Sequence, residues 1–217
     1  RWSALLAQLA KSPDVFFMEV GANDGLAFDP LYESVIKHGW RGLLIEPLPD
    51  LFGQLRHTYE GRDGMIFENV AIAEETGTKT MIRVDPEAVE LGRVPYWTKG
   101  IGSFFQDRNA LGGRRISEEE FAKIRPHIIS EPIRCDTLPN VFRKHCIAKV
   151  DLLQIDVEGY DYYVLKQFDF STLRPLVVRM EWYNLPPDEK QMTLDLFKKW
   201  GYRTSQLEFD LIAWRTS

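Results

Sequence analysis

The sequence predicts an α/β protein built around a doubly wound, mostly parallel sheet, and two observations support this prediction. Short runs of aliphatic and aromatic residues alternate along the chain with segments whose apolar residues recur at helical spacing. Most of these runs end in a polar or acidic residue, which is typical of strands whose carboxyl ends line a ligand crevice. Because the chain has 217 residues, 44% of them hydrophobic, we expect a single domain over residues 1–217.

The first strand is expected at 15–20, after a short helix that an apolar stripe at 5–9 predicts. A glycine loop, GANDG, follows the strand at 21–25, and its two glycines allow tight turns and a close approach to a ligand. Asn23 stands where the G-x-G-x-x-G fingerprint needs its second glycine, so the loop disfavours a dinucleotide. Together with Glu19, the loop favours a ligand that has a positive end and no pyrophosphate.

The following elements complete a wound sheet that ends in an antiparallel hairpin. The next helices are predicted at 30–38 and 49–59, the next strands at 42–46 and 65–73, and an added strand at 79–84. After residue 132, strands are predicted at 133–135, 150–157, 176–182, 202–206 and 211–215, and helices at 137–145, 160–168 and 188–200.

Residues 86–132 interrupt this alternation, and we expect them to form a lid-like insertion over the substrate. The segment is rich in glycine and in interleaved aromatic residues, and a long connection inside a compact domain often serves function. Within it, Ser117 followed by three glutamates predicts an N-cap and a helix that continues to Ile124.

Composition and charge argue against several classes of protein. The net charge of −5 and the absence of a long basic run disfavour nucleic acid as the main partner. No apolar run approaches the roughly 20 residues of a membrane-spanning helix. Cys135 and Cys146, the only cysteines, fit two buried reduced thiols in a cytoplasmic protein better than the alternative, a disulfide between them. The first residue is Arg1 instead of methionine, so a longer parent chain stays open, as does the oligomeric state.

Polar side chains stand at the carboxyl ends of the predicted strands, where an open α/β sheet binds its ligand. They are Glu19, Glu46, Asn69, Asp156 and Glu181. Glu46 follows the first loop glycine by 46 − 21 = 25 positions, near the spacing at which a carboxylate accepts the ribose hydroxyls of an adenosine cofactor. The alternative interpretation of Glu46 is an exposed glutamate ahead of a helix.

Four motifs, taken in order, resemble the FkbM-type S-adenosylmethionine-dependent methyltransferases. They are VGANDG at 20–25, LLIEPLPDLFGQL at 43–55, NVAIA at 69–73 and LLQIDVEGYDYYVL at 152–165, and the terminal EFDLIAWR hairpin agrees with them. The resemblance extends from about residue 15 to residue 215, with least agreement in the insertion. It implies a class I methyltransferase fold, which is Rossmann-like, and S-adenosyl-L-methionine as the cofactor.

The resemblance also implies a role for each group in the crevice. Glu19 and the backbone of 21–25 would hold the methionine part of the cofactor, and Glu46 would bind its ribose. Residues 69–70 would lie beside adenine, and Asp156 would lie near the sulfonium and the acceptor. The implied cofactor-binding residues are therefore Glu19, Gly21, Ala22, Asn23, Asp24, Gly25, Glu46, Asn69, Val70 and Asp156.

Removal of the acceptor proton needs a base or a metal, and Asp156, Glu158 and Glu181 are the expected catalytic residues. In one alternative, Asp156 or Glu158 acts as the base. In the other, Asp156 and Glu181, with or without Glu158, bind Mg²⁺ through oxygen. The structural alternatives are that Glu158 caps the following helix and that Glu181 pairs with Arg179 or Arg134.

The leading hypothesis is an S-adenosylmethionine-dependent methyltransferase that methylates a hydroxyl of a sugar, a glycan or a secondary metabolite. N-methylation of a small molecule is a close variant of it. Two alternatives from other classes stay open, an NAD-type oxidoreductase and a cofactor-binding or assembly module without catalysis. The expected partner is accordingly a small molecule or a glycan.

Overall fold

The computed structural model describes residues 1–106, 111 and 116–215, and its elements largely follow the predicted alternation. In this part of the chain the strands are β1 (Phe16–Val20), β2 (Arg41–Ile45), β3 (Met65–Glu68), β4 (Ala71–Ile72), β5 (Gly77–Val84), β6 (Gly102–Ser103), β7 (Ile128–Asp136), β8 (Leu152–Ile155), β9 (Val177–Glu181), β10 (Arg203–Leu207) and β11 (Asp210–Trp214). The helices are α1 (Trp2–Leu9), α2 (Tyr32–His38), α3 (Pro49–Thr58), α4 (Pro86–Glu90), α5 (Glu118–Ile124), α6 (Leu138–Lys144), α7 (Asp161–Leu165) and α8 (Pro187–Lys199).

Seven strands form the main sheet, in the order β10-β11-β9-β8-β1-β2-β3. Five neighbouring strands, β9, β8, β1, β2 and β3, are parallel to one another. The β11 strand runs antiparallel to both of its neighbours, β9 and β10. The α1, α2 and α3 helices pack on the face that carries Phe17, and α6, α7 and α8 pack on the face that carries Met18. The predicted doubly wound, mostly parallel sheet with a terminal hairpin is therefore confirmed.

A second, four-stranded sheet corrects two predicted strands. The run 65–73, predicted as one strand, is divided: β3 belongs to the main sheet and β4 to the second one, whose order is β4-β7-β5-β6. The strand predicted at 79–84 as an addition to the main sheet is β5 of the second sheet. An apolar run does not reveal its hydrogen-bond partners, and β4 finds its partner where Ala71 pairs with Cys135, far along the chain.

The predicted insertion at 86–132 is more regular than a glycine-rich loop. It contains α4, β6, α5 and the first part of β7, which pairs with β5 along its whole length and begins at Ile128 instead of 133. The predicted N-cap is confirmed, because Oγ of Ser117 accepts from Glu120 N–H while the Glu120 carboxylate accepts from Ser117 N–H. Residues 107–110 and 112–115, with two of the glycines, lie outside the described residues.

Two further observations bear on the expectations from composition. None of the helices in the described part of the chain combines the length and apolar character of a membrane span. Cys135 is buried and Cys146 is exposed, and both thiols are free.

Candidate active site

A cavity of about 450 Å³ opens at the carboxyl ends of β1, β2 and β8. On one side its wall consists of the loop after β1, the turn after β2 and the segment after β8. The second sheet and the insertion close the opposite side, through Met81, Trp97, Lys99, Ile101, Gly102 and Phe104. A crevice thus lies at the strand ends where the sequence predicts it, and the insertion covers it.

The cavity brings together most of the residues predicted to bind a cofactor. Those that line it are Glu19, Gly21, Ala22, Asn23, Glu46, Val70 and Asp156. The remaining three, Asp24, Gly25 and Asn69, lie outside its lining and hold the neighbouring backbone in place.

Gly21 occupies a position where no side chain fits. Its φ is +84°, and a Cβ atom there would lie 1.8 Å from the carbonyl oxygen of Asp156. The N–H groups of Gly21 and Ala22 donate to the Ile45 carbonyl at 2.9 and 3.0 Å, so the loop is bonded to β2 while it touches the end of β8. Glycine therefore allows three strand ends to meet closely around the cavity.

Asp24 organises the loop from outside the cavity. Its Oδ1 accepts from the N–H groups of Leu26 and Ala27 at 3.0 and 2.7 Å, and its Oδ2 accepts from Nζ of Lys99 in the insertion at 2.5 Å. Burial raises the pKa of Asp24, but these hydrogen bonds outweigh burial and hold the pKa below its ordinary value. A Cβ atom on Gly25 would lie 2.6 Å from a side-chain atom of α3, so this glycine serves close packing.

Glu46 is a buried carboxylate in the cavity wall. Its Oε2 accepts from Asn23 N–H and its Oε1 from Leu48 N–H, both at 2.8 Å, so it joins the turn after β2 to the loop after β1. Burial raises the pKa of Glu46 to about 7, against these hydrogen bonds, which lower it. Nδ2 of Asn69 donates to the carbonyls of Glu46 and Pro47 at 2.8 and 3.1 Å, and this side chain therefore fixes the turn.

The base of the cavity holds two residues that sequence reasoning missed, Asp29 and Gln154. Nε2 of Gln154 donates to Oε1 of Glu19 at 2.7 Å, because the two residues face each other in the register of β1 and β8. Burial, with a smaller contribution from the neighbouring Asp29 carboxyl, raises the pKa of Glu19 well above its ordinary value. Gln154 was detectable as the polar residue inside the apolar run LLQI, whereas Asp29 carries no comparable signal.

Asp156, Glu158 and Glu181 converge next to the cavity, and one carboxylate oxygen from each lies within 4.8 Å of the others. Nδ2 of Asn184 donates to Glu158 at 3.1 Å and to Glu181 at 3.0 Å, which links two of the three. The buried Asp161 lies near them, and burial together with the negative charges of Glu181 and Asp156 raises its pKa well above the ordinary value. This concentration of negative charge suits a cation, whose oxygen ligands lie at about 2.0–2.6 Å.

A turn, and not a shared strand face, brings Glu158 to this cluster. β8 ends at Ile155, and Glu158 adopts a left-handed φ of +51°. Glu158 is not the N-cap residue of α7, because that position is occupied by Tyr160. The arginines suggested as partners of Glu181 have acidic partners elsewhere: Arg179 pairs with Asp210, and Arg134 pairs with Glu68.

Aromatic rings stand next to the three carboxylates. The Phe105 and Tyr163 rings lie 5.9 and 4.6 Å from the Tyr160 ring, and Phe105 is 39% exposed. Oγ of Ser103 donates to the Glu158 carbonyl at 2.9 Å and accepts from Phe105 N–H at 3.1 Å. The insertion is therefore bonded to the acidic cluster through β6, and it places the partly exposed Phe105 ring near that cluster.

This strand order, with an antiparallel β11 and a cavity at the carboxyl ends of parallel strands, defines a class: the fold is that of the class I, Rossmann-like methyltransferases. A crystal structure of a methyltransferase FkbM from Methylobacillus flagellatus KT is similar, with a TM-score of 0.53 and 14% identity over 94% of this chain and 44% of that one. The METTL16 MTase domain is similar with a TM-score of 0.50 and 8% identity over 99% of this chain and 65% of that one.

The family model of the methyltransferase FkbM domain matches residues 19–204, and the chain belongs to that family. The chain spans less than half the length of the M. flagellatus structure. A comparison with curated proteins finds no match. The resemblance and the fold predicted from the motifs are therefore confirmed.

Proposed function

We propose that this chain is an S-adenosylmethionine-dependent methyltransferase that methylates a hydroxyl oxygen. One observation carries the proposal: a single cavity is lined by Glu46 at one end and by Asp156 and Glu158 at another. A cofactor whose ribose binds Glu46 would therefore have its reactive centre beside a cluster of carboxylates. When bound, S-adenosylmethionine supplies an electrophilic methyl group on a sulfonium.

The residues of the cavity fit the parts of this cofactor. The Glu46 carboxylate, buried and already oriented by two N–H donors, can accept hydrogen bonds from the ribose hydroxyls. Apolar side chains suited to an adenine ring follow in the wall, namely Ile45, Leu48, Val70, Ile72 and Met81. Glu19 and Gln154, at the base of the cavity, offer acceptors for the methionine ammonium. We assign the adenine contact to Val70, with Asn69 acting through the backbone that it holds.

Methyl transfer from a sulfonium is an in-line displacement, for which the protein positions two reactants and excludes water. The second sheet and the insertion cover the cavity and can exclude water. Asp156 lines the cavity, so we place it at the acceptor, where it can receive the proton or orient the hydroxyl. We further propose that Asp156, Glu158 and Glu181 hold a divalent cation such as Mg²⁺, which would lower the pKa of the acceptor hydroxyl.

The rings beside the carboxylates support a cyclic acceptor. The exposed face of Phe105, with Tyr160 behind it, suits stacking against a sugar or another ring, whose hydroxyl would then face the acidic cluster. The proposed substrates are accordingly sugars, glycans and hydroxylated secondary metabolites. The family match and the absence of a G-x-G-x-x-G loop favour this proposal over an NAD-type oxidoreductase.

Titration calorimetry tests the cofactor, and transfer of a radiolabelled methyl group to a panel of hydroxylated sugars and metabolites tests the reaction. We expect binding at one site per chain, turnover with at least one hydroxyl acceptor, and loss of turnover after exhaustive chelation. Absence of binding at millimolar S-adenosylmethionine would contradict the whole proposal. Binding without turnover on any acceptor would favour a module without catalysis, and turnover that survives chelation would exclude the cation.

A further inference from the structure

We infer that Asp29 joins Glu19 and Gln154 in a binding pocket for the α-ammonium group of the cofactor, so that Asp29 selects a cofactor that carries an amino acid. This inference rests on the proposed function. It concerns one end of the cavity, the side of β1 that faces α1 and α2, and it adds Asp29, which the sequence motifs do not include.

Three buried oxygen atoms at this end of the cavity, Oε2 of Glu19, Oδ2 of Asp29 and Oε1 of Gln154, receive no hydrogen bond from any N–H group of the described residues. The Glu19 and Asp29 carboxyls adjoin each other and can hydrogen-bond to each other only while one of them is protonated. Glu19 is only 2% exposed and Gln154 only 6%, and all three residues line the cavity. Buried acceptors without donors are costly, so this arrangement favours a ligand that supplies donors.

Hydrogen bonds hold these acceptors in fixed orientations. Gln154 donates its own amide N–H to Glu19 Oε1 at 2.7 Å, which directs its carbonyl oxygen away from that contact. Oδ1 of Asp29 accepts from Leu31 N–H at 2.7 Å at the start of α2, which leaves Oδ2 available. Phe28, directly before Asp29, has a left-handed φ of +61°, which is unfavourable for a bulky residue and common where a functional loop is constrained.

The negative charge at this end of the cavity favours a cationic ligand. The Glu19 and Asp29 carboxyls adjoin each other, and burial, more than any other cause, raises the pKa of both, that of Asp29 to about 6. Two adjoining buried acids repel each other when both are ionised, and a cation between them removes that penalty. Among the neighbouring groups, Arg179 is paired with Asp210, the Tyr59 hydroxyl is uncharged, and Asp156 adds further negative charge.

An ammonium group matches this environment better than a metal ion or a neutral donor. It carries one positive charge and three N–H donors, and the pocket presents three acceptors from three different residues. The sulfonium end of the same ligand would then point toward Asp156, which lines the same cavity. Asp29 would thus position the methionine part of the cofactor without touching the reacting atoms.

The test compares two ligands on three proteins by titration calorimetry. The ligands are S-adenosylhomocysteine and its analogue in which hydrogen replaces the α-amino group while the carboxylate is kept. The proteins are the wild type, Asp29→Asn and the control Asp63→Asn, which removes the same charge at an exposed position. We expect the wild type and the control to prefer S-adenosylhomocysteine by about tenfold or more, because hydrogen bonds between charged groups are lost in the analogue.

In Asp29→Asn we expect this preference to fall to about threefold, with affinity for the analogue nearly unchanged. Equal binding of both ligands by the wild type would overturn the ammonium pocket, and this measurement needs no variant to fold. Equal weakening of both ligands in Asp29→Asn would overturn the role of Asp29. If the wild type binds neither ligand, the proposed function itself fails, and that outcome differs from all the others.

Discussion

The cavity has a floor and a roof that are built in different ways. The floor consists of Glu19, residues 21–23, Glu46 and Asp156, which follow directly from the ends of parallel strands. The roof consists of Met81, Trp97, residues 99–102 and Phe104, and it belongs to the second sheet and the insertion. Main-chain hydrogen bonds and the close approach at Gly21 join the strand ends of the floor. The roof is attached to the floor through side chains, namely those of Lys99 and Ser103 and that of Asn23, which packs against Gly100.

Because of this difference, substitutions in the floor and in the roof should affect different properties of the protein. A change that displaces the backbone of the floor alters positions that three strands share, so it should affect stability or cofactor affinity strongly. A change in the roof removes an exposed or partly exposed contact, so it should mainly affect how fast a ligand leaves.

The largest effect is expected for Gly21→Ala in the floor. The new Cβ atom would meet the Asp156 carbonyl at 1.8 Å and would impose a side chain on a φ of +84°. We expect a loss of about 4 kcal/mol or more in the free energy of unfolding, or failure to fold, measured by chemical denaturation. The matched control is Gly53→Ala in α3, which meets open space and should stabilise the protein by about 0.5–1 kcal/mol. Similar stabilities for the two variants would contradict the account of the floor.

The next effect is a pH dependence that arises in the floor. Burial raises the pKa of Glu46 from 4.5 to about 7, so between these values the folded state binds more protons than the unfolded state. Stability is therefore greatest below pH 4.5 with respect to this group and is lost as the pH rises toward 7, by about 3 kcal/mol. Asp29, whose pKa is raised to about 6, acts in the same direction.

Urea denaturation of the ligand-free protein between pH 5 and 8 measures this dependence. In the contact between roof and floor, the pKa of Asp24 lies below its ordinary value of 3.8. The Lys99–Asp24 pair should therefore not contribute to the pH dependence of stability between pH 5 and 8. Glu46→Gln serves as the control. Whether or not this variant is less stable than the wild type, its free energy of unfolding should depend less steeply on pH. A stability that rises with pH across this range would contradict the prediction.

Asp156→Asn changes a side chain of the floor without displacing its backbone. Because Asp156 adjoins Glu158 and Glu181 and lines the cavity, we expect turnover to fall by about a hundredfold while affinity for S-adenosylhomocysteine changes by less than about threefold. Methyl-transfer kinetics and titration calorimetry separate the two quantities. Unchanged turnover would rule out a role for Asp156 as a base or a metal ligand, and Asp63→Asn again controls for the loss of charge.

The smallest effect is expected for Lys99→Met in the roof. The variant keeps an apolar stem but loses the contacts of Nζ with Asp24 and Gln54. We expect stability to fall by no more than about 1 kcal/mol, because Asp24 retains its backbone donors, and S-adenosylhomocysteine to dissociate about threefold faster. Stopped-flow displacement measures this rate, with the exposed Lys11→Met as control. If the free energy of unfolding falls by much more than about 1 kcal/mol relative to the control, the roof is part of the core that stabilises the fold.

The sequence by itself determined most of the floor. The apolar run of β1 and the glycines after it specify a strand and a close turn, and these are local properties of neighbouring residues. Glu46 and Asp156 were predictable for the same reason, since each directly follows an apolar run that is too short for a helix. The capped helix α5 also followed from a local signal, the spacing of Ser117 and Glu120.

Only the tertiary structure decided the roof and the details of the polar pockets. The run 65–73 could be divided between two sheets only because β4 and β5 find β7 far along the chain, and strand pairing is not encoded in a local pattern. Glu158 reaches Asp156 and Glu181 through a left-handed turn that no periodicity predicts. Asp29 and Gln154 meet Glu19 because a loop and a neighbouring strand bring them together, and contacts between distant segments exist only once the chain has folded.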